Sequence, residues 1–183
     1  MMPVLLHTCC APCSASVIEW LLINNYQPTL YFFNPNIFPK NEYEIRKNEL
    51  LRYAQTLKLS AVDDDYNHTH WLVQIAGYER EPERGQRCAI CFKIRMMATA
   101  TQAHKLAIPT FATTLASSRW KNIEQINTAG TAAAERFENM SFLAKNWRTN
   151  GLADRRAQLL KENKFYNQQY CGCEFSVRKE KTV

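Results

Sequence analysis

The feature that most constrains the fold is a short apolar run that ends in a group of cysteines. Residues 2–6 predict a buried strand and residues 14–22 predict a helix, so the segment between them is a strand-to-helix turn. In an open α/β sheet, the carboxyl end of a central strand is where ligands are usually held. The thiols of Cys9, Cys10 and Cys13 therefore stand at a predicted active centre.

The rest of the chain alternates between strand and helix patterns. We expect further strands at residues 29–33, 59–62, 108–114 and 140–143, and further helices at residues 41–58, 67–77, 88–107, 123–137 and 152–162. The second strand is apolar throughout, which favours a parallel sheet covered on both faces. The sequence thus predicts an α/β protein with a Rossmann-like parallel sheet and helices on both faces, with residues 1–183 forming a single catalytic domain.

The cysteine count indicates metal or redox chemistry. The chain has seven cysteines, an odd number, and its start lacks the pattern of a secretion signal, so a framework of structural disulfides is not expected. No apolar run approaches the length of about 18 residues that a membrane span needs. We therefore expect a cytoplasmic protein with no membrane association.

A second cysteine pair, Cys88 and Cys91, is spaced for one side of a first helical turn. Free backbone N–H groups there, together with Arg87, are expected to lower the pKa of both thiols. With Cys9 and Cys10, this pair can supply four thiolates to a cubane iron–sulfur cluster. A four-thiolate zinc site is the alternative, although adjacent cysteines do not match the usual zinc spacing.

The third group, Cys171-Gly172-Cys173, is different in kind. A disulfide in so small a ring is expected to be strained, and strained disulfides tend to be catalytic or regulatory. As a dithiol, the same pair can donate two electrons or hold a second iron.

The positive charge is concentrated near the C-terminus. The net charge is +6, and residues 144–183 hold nine basic against four acidic residues, a net of +5. Aromatic residues are interleaved with these cations, including Trp147, Phe165, Tyr166 and Tyr170. We interpret 144–183 as a basic helical region that carries the Cys171-Gly172-Cys173 motif. It is suited either to phosphate contacts with base stacking or to a solvated helix face.

Five motifs resemble, in order and spacing, the cobalamin-independent epoxyqueuosine reductase family called QueH, across residues 4 to 176. They are His7-Thr8-Cys9-Cys10-Ala11-Pro12-Cys13, Asn34-Pro35-Asn36-Ile37, Arg87-Cys88-Ala89-Ile90-Cys91-Phe92, Thr113-Thr114-Leu115 and Tyr170-Cys171-Gly172-Cys173. The resemblance implies a fold similar to the adenine nucleotide α-hydrolase (HUP) type. It also implies an iron–sulfur oxidoreductase that reduces the epoxide of epoxyqueuosine at the tRNA wobble position to the alkene of queuosine, the last step of queuosine biosynthesis.

The resemblance further implies a [4Fe-4S] cluster on Cys9, Cys10, Cys88 and Cys91. It implies a redox-active disulfide at Cys171 and Cys173, and a second, mononuclear iron nearby. An unidentified electron donor is expected as a partner. Cys13 is expected to be buried rather than catalytic, and the candidate proton donors are His7, Asp63, Asp64, Asp65 and Tyr170.

The substrate implied by the resemblance is tRNA, whose wobble nucleoside lies in a single-stranded loop. The residues expected to contact its phosphates are Arg148, Arg155, Arg156, Lys161 and Lys164. Two alternatives remain open: a tRNA sulfurtransferase that uses a cysteine persulfide, and a zinc-stabilised RNA-binding module. The sulfurtransferase requires ATP, and the first turn has no glycine with which to wrap a pyrophosphate.

Overall fold

The apolar runs of the sequence form five strands in the computed structural model, which describes residues 1–177. The strands are β1 (Met2–His7), β2 (Tyr26–Phe32), β3 (Ala61–Asp63), β4 (Thr110–Thr113) and β5 (Ser141–Phe142). They pair in the order β3-β2-β1-β4-β5, and every neighbouring pair is parallel. Strands β2 and β3 follow β1 to one edge of the sheet, and β4 and β5 then lie on the other side of β1. The boundary between β1 and β4 is therefore the topological switch point.

Residues 1–177 contain six helices, of which the first five lie between strands and the last follows β5. They are α1 (Ala11–Ile23), α2 (Lys40–Thr56), α3 (His68–Gln74), α4 (Gln86–Lys105), α5 (Ile123–Ala134) and α6 (Leu152–Glu162). Short 3-10 turns lie at Thr114–Ser117 and Glu174–Ser176. The predicted fold class, an α/β protein with a parallel sheet, is confirmed.

The helices cover both faces of the sheet because successive side chains of a strand point to opposite sides. Val4 and Leu6 face a core shared with α1, α2 and α6, whereas Leu5 faces a second core shared with α4 and α5. All three of these β1 side chains are 0% exposed. The central strand is thus buried on both sides, and its carboxyl end opens onto the cysteine turn.

The starts of α1, α2, α3 and α4 differ from the sequence prediction by one to three residues. Helix α1 begins at Ala11 instead of residue 14, because Pro12 is tolerated in a first turn, where its missing N–H is not needed. Cys13 consequently lies inside the helix. Helix α2 begins at Lys40 after Pro39, one residue before its predicted start.

Arg178, Lys179 and Lys181, which belong to the predicted basic region, lie outside the described residues. The single-domain organisation of residues 1–183 stays a prediction. Among residues 1–177, none of the helices has the length and apolar character needed to cross a membrane.

Candidate metal centre and adjoining cavity

The turn after β1 gathers three buried thiols at the switch point. The sulfur atoms of Cys9, Cys10 and Cys13 all lie within 4.8 Å of one another, a group that can hold a metal ion. Cys10 keeps an extended backbone as it enters α1, and its carbonyl accepts a hydrogen bond of 2.7 Å from the Ser14 hydroxyl. The Thr114 hydroxyl, at the end of β4, accepts from the Cys9 backbone N–H at 3.2 Å. Cys13 is buried as expected, but it also belongs to the thiol group.

Cys88 and Cys91 approach this group from the first turns of α4. Cys88 packs against the apolar cluster that contains Cys9, Cys10 and Cys13. Cys91 packs with Cys173 in a smaller cluster that also holds Trp71 and Ile75. The three cysteine groups therefore converge at one end of the sheet, as the sequence predicts.

The expected lowering of the pKa at Cys88 and Cys91 is wrong for the thiols of this structure. Burial raises the pKa of both thiols above the ordinary value. The charge of Arg87 lowers the pKa of Cys88 by less than burial raises it, and the Arg87 guanidinium donates to the backbone carbonyls of Tyr78, Glu79 and Glu81. A metal bound at these thiols would favour their deprotonated form.

The Cys171-Gly172-Cys173 turn is held by Arg46. The Arg46 guanidinium donates to the carbonyls of Tyr170 and Cys171, each at 3.3 Å, and pairs with Glu42 at 2.7 Å. Gly172 has a φ of +129°, and a Cβ there would lie 3.1 Å from Arg46 Nη1 and Ile37 Cγ1. Only glycine fits this backbone conformation and close approach. All seven cysteines are free thiols in the structure.

A cavity of about 520 Å³ adjoins the cysteines. One wall is the loop after β4 (residues 118–121), a second is the segment 167–171, and the remaining walls come from the cysteine turn, the first turn of α1, Arg46 of α2 and helix α6. Among the residues that the structure describes, four cationic side chains and no carboxylate line it; the cations are Arg46, Arg119, Lys121 and Arg156. Cys9, Cys13 and Cys171 also line this cavity, so a molecule inside it lies beside the thiols.

The buried charges around the thiols fit an anionic metal–thiolate centre. Arg95 is 2% exposed and Lys121 is 6% exposed, and neither forms an ion pair with any carboxylate among residues 1–177. A buried charge with no counter-charge is strongly destabilising. Burial alone would lower the pKa of Lys121, but the sulfurs of Cys171, Cys9 and Cys13 outweigh it and raise that pKa. These cations compensate for thiolates.

A buried hydrogen-bond donor also indicates that the site suits an anionic metal–thiolate centre. The indole N–H of Trp71 is buried, has no nitrogen or oxygen acceptor among residues 1–177, and interacts with the sulfur of Cys91, whose pKa it lowers. Trp71 is 1% exposed and packs with Cys91 and Cys173. A thiolate ligand is the acceptor that its surroundings offer, since a thiolate accepts hydrogen bonds that a neutral thiol accepts only weakly.

The structure places most of the expected proton donors away from the cavity. The His7 ring is 0% exposed and contacts the Thr113 hydroxyl at 2.9 Å and the Phe33 carbonyl at 3.1 Å. Burial, followed by the charge of Arg95, lowers the pKa of His7 to about 3, so the ring is neutral. Tyr170 lines the cavity, but its hydroxyl donates to the Phe38 carbonyl.

The three aspartates are also occupied elsewhere. Asp63 pairs with Lys47 at 3.2 Å, and the Asp64 carboxylate accepts a short hydrogen bond from the Tyr31 hydroxyl. None of Asp63, Asp64 and Asp65 lines the cavity. Lys121 and Gln168 line it instead, and sequence reasoning missed both.

The five cations expected to contact tRNA have different surroundings. Arg148 donates to the carbonyls of Ala116 and Lys121, and Arg155 pairs with Glu19 at 2.8 Å and with Glu162 at 3.1 Å. Arg156 lines the cavity, with Nη1 at 3.7 Å from the sulfur of Cys13. Lys161 and Lys164 are exposed and lie outside the cavity.

Two of the aromatic residues considered for base stacking belong to the core. Trp147 is 1% exposed, and its indole N–H donates to the Thr113 carbonyl at 2.9 Å. Phe165 is also buried and packs edge-on against Tyr53. They stabilise the C-terminal region and do not present a surface to RNA.

Fold and site together define an α/β protein with a thiol-rich centre, able to hold a metal ion, at the switch point of a parallel sheet. Residues 4–179 match the family described as Epoxyqueuosine reductase QueH. The chain belongs to this family.

Relatives across the family are similar over nearly the whole chain. The Epoxyqueuosine reductase QueH of Haemophilus influenzae is 44% identical over 96% of this chain and 71% of its own length. That of Thermotoga maritima is 33% identical over 97% of this chain and 93% of its own length. Among solved structures, a predicted subunit of tRNA methyltransferase from Methanocaldococcus jannaschii superposes with a TM-score of 0.60. It covers 99% of this chain and 94% of the other at 13% identity, so this likeness concerns the fold alone.

Proposed function

We propose that this chain is an epoxyqueuosine reductase that converts the cyclopentane epoxide of epoxyqueuosine in tRNA to the alkene of queuosine. The observation that carries the proposal is the convergence of three cysteine groups beside a cation-lined cavity in a chain of this family. Family membership does not favour the zinc-stabilised RNA-binding module or the persulfide sulfurtransferase.

The cofactor is proposed to be a [4Fe-4S] cluster held by Cys9, Cys10, Cys88 and Cys91. Four thiolates from two segments suit a cubane, and Arg95, Lys121 and the Trp71 N–H offset its negative charge. A cubane is larger than a single metal ion, so its ligating sulfurs need not lie within 4.8 Å of one another, as those of Cys9, Cys10 and Cys13 do. Bound there, the cluster would supply electrons one at a time.

The reaction consumes two electrons and two protons, breaks both carbon–oxygen bonds of the epoxide and releases water. A second electron carrier therefore suits the site, and we assign that role to Cys171 and Cys173, either as a dithiol or as ligands of a second iron. Cys171 lines the cavity and Cys173 packs against Cys91, so this pair lies between the substrate space and the proposed cluster. Oxidation of the dithiol to a disulfide releases two electrons and two protons, which balances the reaction.

We propose that the ammonium group of Lys121 lies beside the epoxide oxygen that departs in the reaction. Its side chain is buried, lines the cavity and interacts electrostatically with Cys9 and Cys171. An ammonium in a site shielded from water stabilises negative charge that develops on oxygen as the epoxide opens. The loop that carries Lys121 is pinned by Arg148, which donates to the Lys121 carbonyl at 2.8 Å.

The partners are proposed to be tRNA and an external electron donor that restores the reduced state after each turnover. Exposed cations of the C-terminal region, Lys161 and Lys164 among them, contribute to tRNA affinity in this proposal. A cytoplasmic location suits an enzyme that acts on tRNA and keeps seven thiols reduced.

Complementation tests the function. In a strain that lacks the gene and any other such reductase, tRNA nucleosides analysed by mass spectrometry should contain epoxyqueuosine in place of queuosine. The unaltered gene should restore queuosine, whereas Cys91→Ser should not. Purified Cys91→Ser protein should contain less iron after anaerobic reconstitution. Normal queuosine in the deletion strain would contradict the proposal.

A further inference from the structure

We propose that the mouth of the cavity binds the phosphate backbone of the tRNA anticodon loop through Arg119 and Arg156. The inference rests on the proposed function and deepens it, because it assigns a binding surface to one loop and one face of α6.

The four cations of the cavity divide into an inner and an outer pair. Arg46 is buried and paired with Glu42, and Lys121 is buried beside the cysteine sulfurs. Arg119 is exposed and Arg156 is half-buried, although both line the same cavity. Arg46 and Lys121 interact with groups inside the protein. Arg119 and Arg156 can be reached by a ligand that approaches from solvent.

The outer pair is also uncommitted. Within residues 1–177, the Arg119 side chain has no hydrogen bond or ion pair, and the only polar contact of the Arg156 guanidinium is the sulfur of Cys13 at 3.7 Å. Arg155, the neighbour of Arg156 in sequence, lies on another face of α6 and is neutralised by Glu19 and Glu162. A phosphate is therefore attracted to the face of α6 that holds Arg156.

The loop that carries Arg119 is fixed before any ligand binds. Arg84 donates from Nη2 to the Arg119 carbonyl at 2.7 Å and from Nε to the Trp120 carbonyl at 3.4 Å. Arg148 holds the Lys121 carbonyl from the other end of the loop. Because the backbone is held by these bonds, less conformational entropy is lost when Arg119 engages a phosphate.

The chemistry of the ligand explains the arrangement. A nucleoside in a single-stranded loop can enter a pocket without opening a duplex, while its two flanking phosphates stay outside. A cavity that no carboxylate of residues 1–177 lines, with two guanidinium groups at its mouth that have no carboxylate partner there, is suited to a chain of phosphates on either side of an inserted nucleoside.

The test is the salt dependence of RNA binding. Iron-loaded protein is titrated under anaerobic conditions against a fluorescently labelled anticodon stem–loop RNA, and anisotropy gives the affinity at a series of salt concentrations. Arg119→Gln and Arg156→Gln should each weaken binding at low salt. Each should also make the plot of log affinity against log salt shallower by about 0.7, the value for one phosphate contact with a single strand.

Two further variants control for charge and folding. Arg156→Lys keeps the cation and should keep the salt slope. Arg136→Gln removes an exposed arginine that follows α5 and does not line the cavity, so it should bind as the unaltered protein does. The inference is overturned if either glutamine variant retains the original slope, or if Arg136→Gln loses as much. No salt-dependent binding by the unaltered protein would instead count against the proposed function itself.

Discussion

At the scale of single residues, Trp71 shows how the surroundings of the cysteines can set their redox properties. Its buried indole N–H has no nitrogen or oxygen acceptor among the described residues and interacts with the Cys91 sulfur, and the ring packs with Cys91 and Cys173. Hydrogen bonds to cluster sulfurs raise the reduction potential, because the reduced cluster is the more negative state. Trp71 is therefore a positioning residue in the proposed site.

We predict that Trp71→Phe lowers the midpoint potential of the reconstituted cluster. If loss of the N–H weakens the one-electron reduction by about tenfold, the shift is about 59 mV. Redox titration followed by electron paramagnetic resonance measures it. Trp20→Phe, made at a half-buried indole that packs against Trp147, should leave the potential unchanged. Equal potentials for all three proteins would show that the Trp71 indole does not reach a cluster ligand.

Lys121 gives a second prediction, this time on turnover. Lys121→Met should slow a single anaerobic turnover by about 100-fold, as loss of a group that stabilises a developing oxyanion does. Lys121→Arg should retain more of the rate because it keeps the charge. Iron content and the visible spectrum are measured alongside the rate, so that a lost cofactor is recognised. A full rate in an iron-loaded Lys121→Met protein would remove Lys121 from the reaction.

The sequence could predict the cysteines of the site but not the residues around them. Cysteines that are adjacent, two positions apart or three positions apart form patterns that can be recognised in the local sequence. Lys121 and Gln168 carry no such pattern, and they reach the cysteines only because the segments that hold them fold over the end of the sheet. Gln168 donates from Nε2 to the sulfur of Cys10 at 2.8 Å, across more than 150 residues of chain.

At the scale of secondary-structure elements, the sequence predicted the order of strands and helices, and the ends were less accurate. Helix α1 starts three residues early because Pro12 favours a first turn, a preference that outweighs the capping preference of Ser14. The apolar pattern of β1 could predict that this strand lies at the centre of a sheet. It could not predict that β1 pairs with β4, because this pairing depends on contacts between segments far apart in the chain.

The contact between α5 and β5 supplies a prediction about stability. A Cβ built on Gly130 would lie 2.4 Å from the Phe142 ring, so Gly130→Ala forces the ring or the helix to move. Overpacking costs about 1–3 kcal/mol, and the gain in helix propensity offsets about 0.5–1 kcal/mol. We expect net destabilisation of about 1–2 kcal/mol in denaturant unfolding. In a Phe142→Leu background the same substitution should cost less, and an equal cost there would contradict the proposed clash.

At the scale of the whole molecule, the proposed cluster ligands come from segments nearly 80 residues apart, and a bound centre joins them. Cys9 and Cys10 follow the central strand, whereas Cys88 and Cys91 open the helix that covers one face of the sheet. A centre bound there would also provide the counter-charge for two buried cations. Metal binding would then be linked to folding stability in this chain.

We predict that removal of iron lowers the melting temperature. A cofactor present at about a thousand times its dissociation constant adds about 4 kcal/mol, which in a chain of this size is on the order of 10 °C. Thermal unfolding of reconstituted and chelator-treated protein, followed anaerobically by circular dichroism, measures the difference.

Part of this difference in melting temperature should come from Arg95, which is 2% exposed and has no carboxylate partner among residues 1–177. Arg95→Met should therefore melt closer to its own iron-free form, because it no longer buries an uncompensated charge when iron is absent. A gap as wide in Arg95→Met as in the unaltered protein would mean that this cation is balanced by something other than the metal centre.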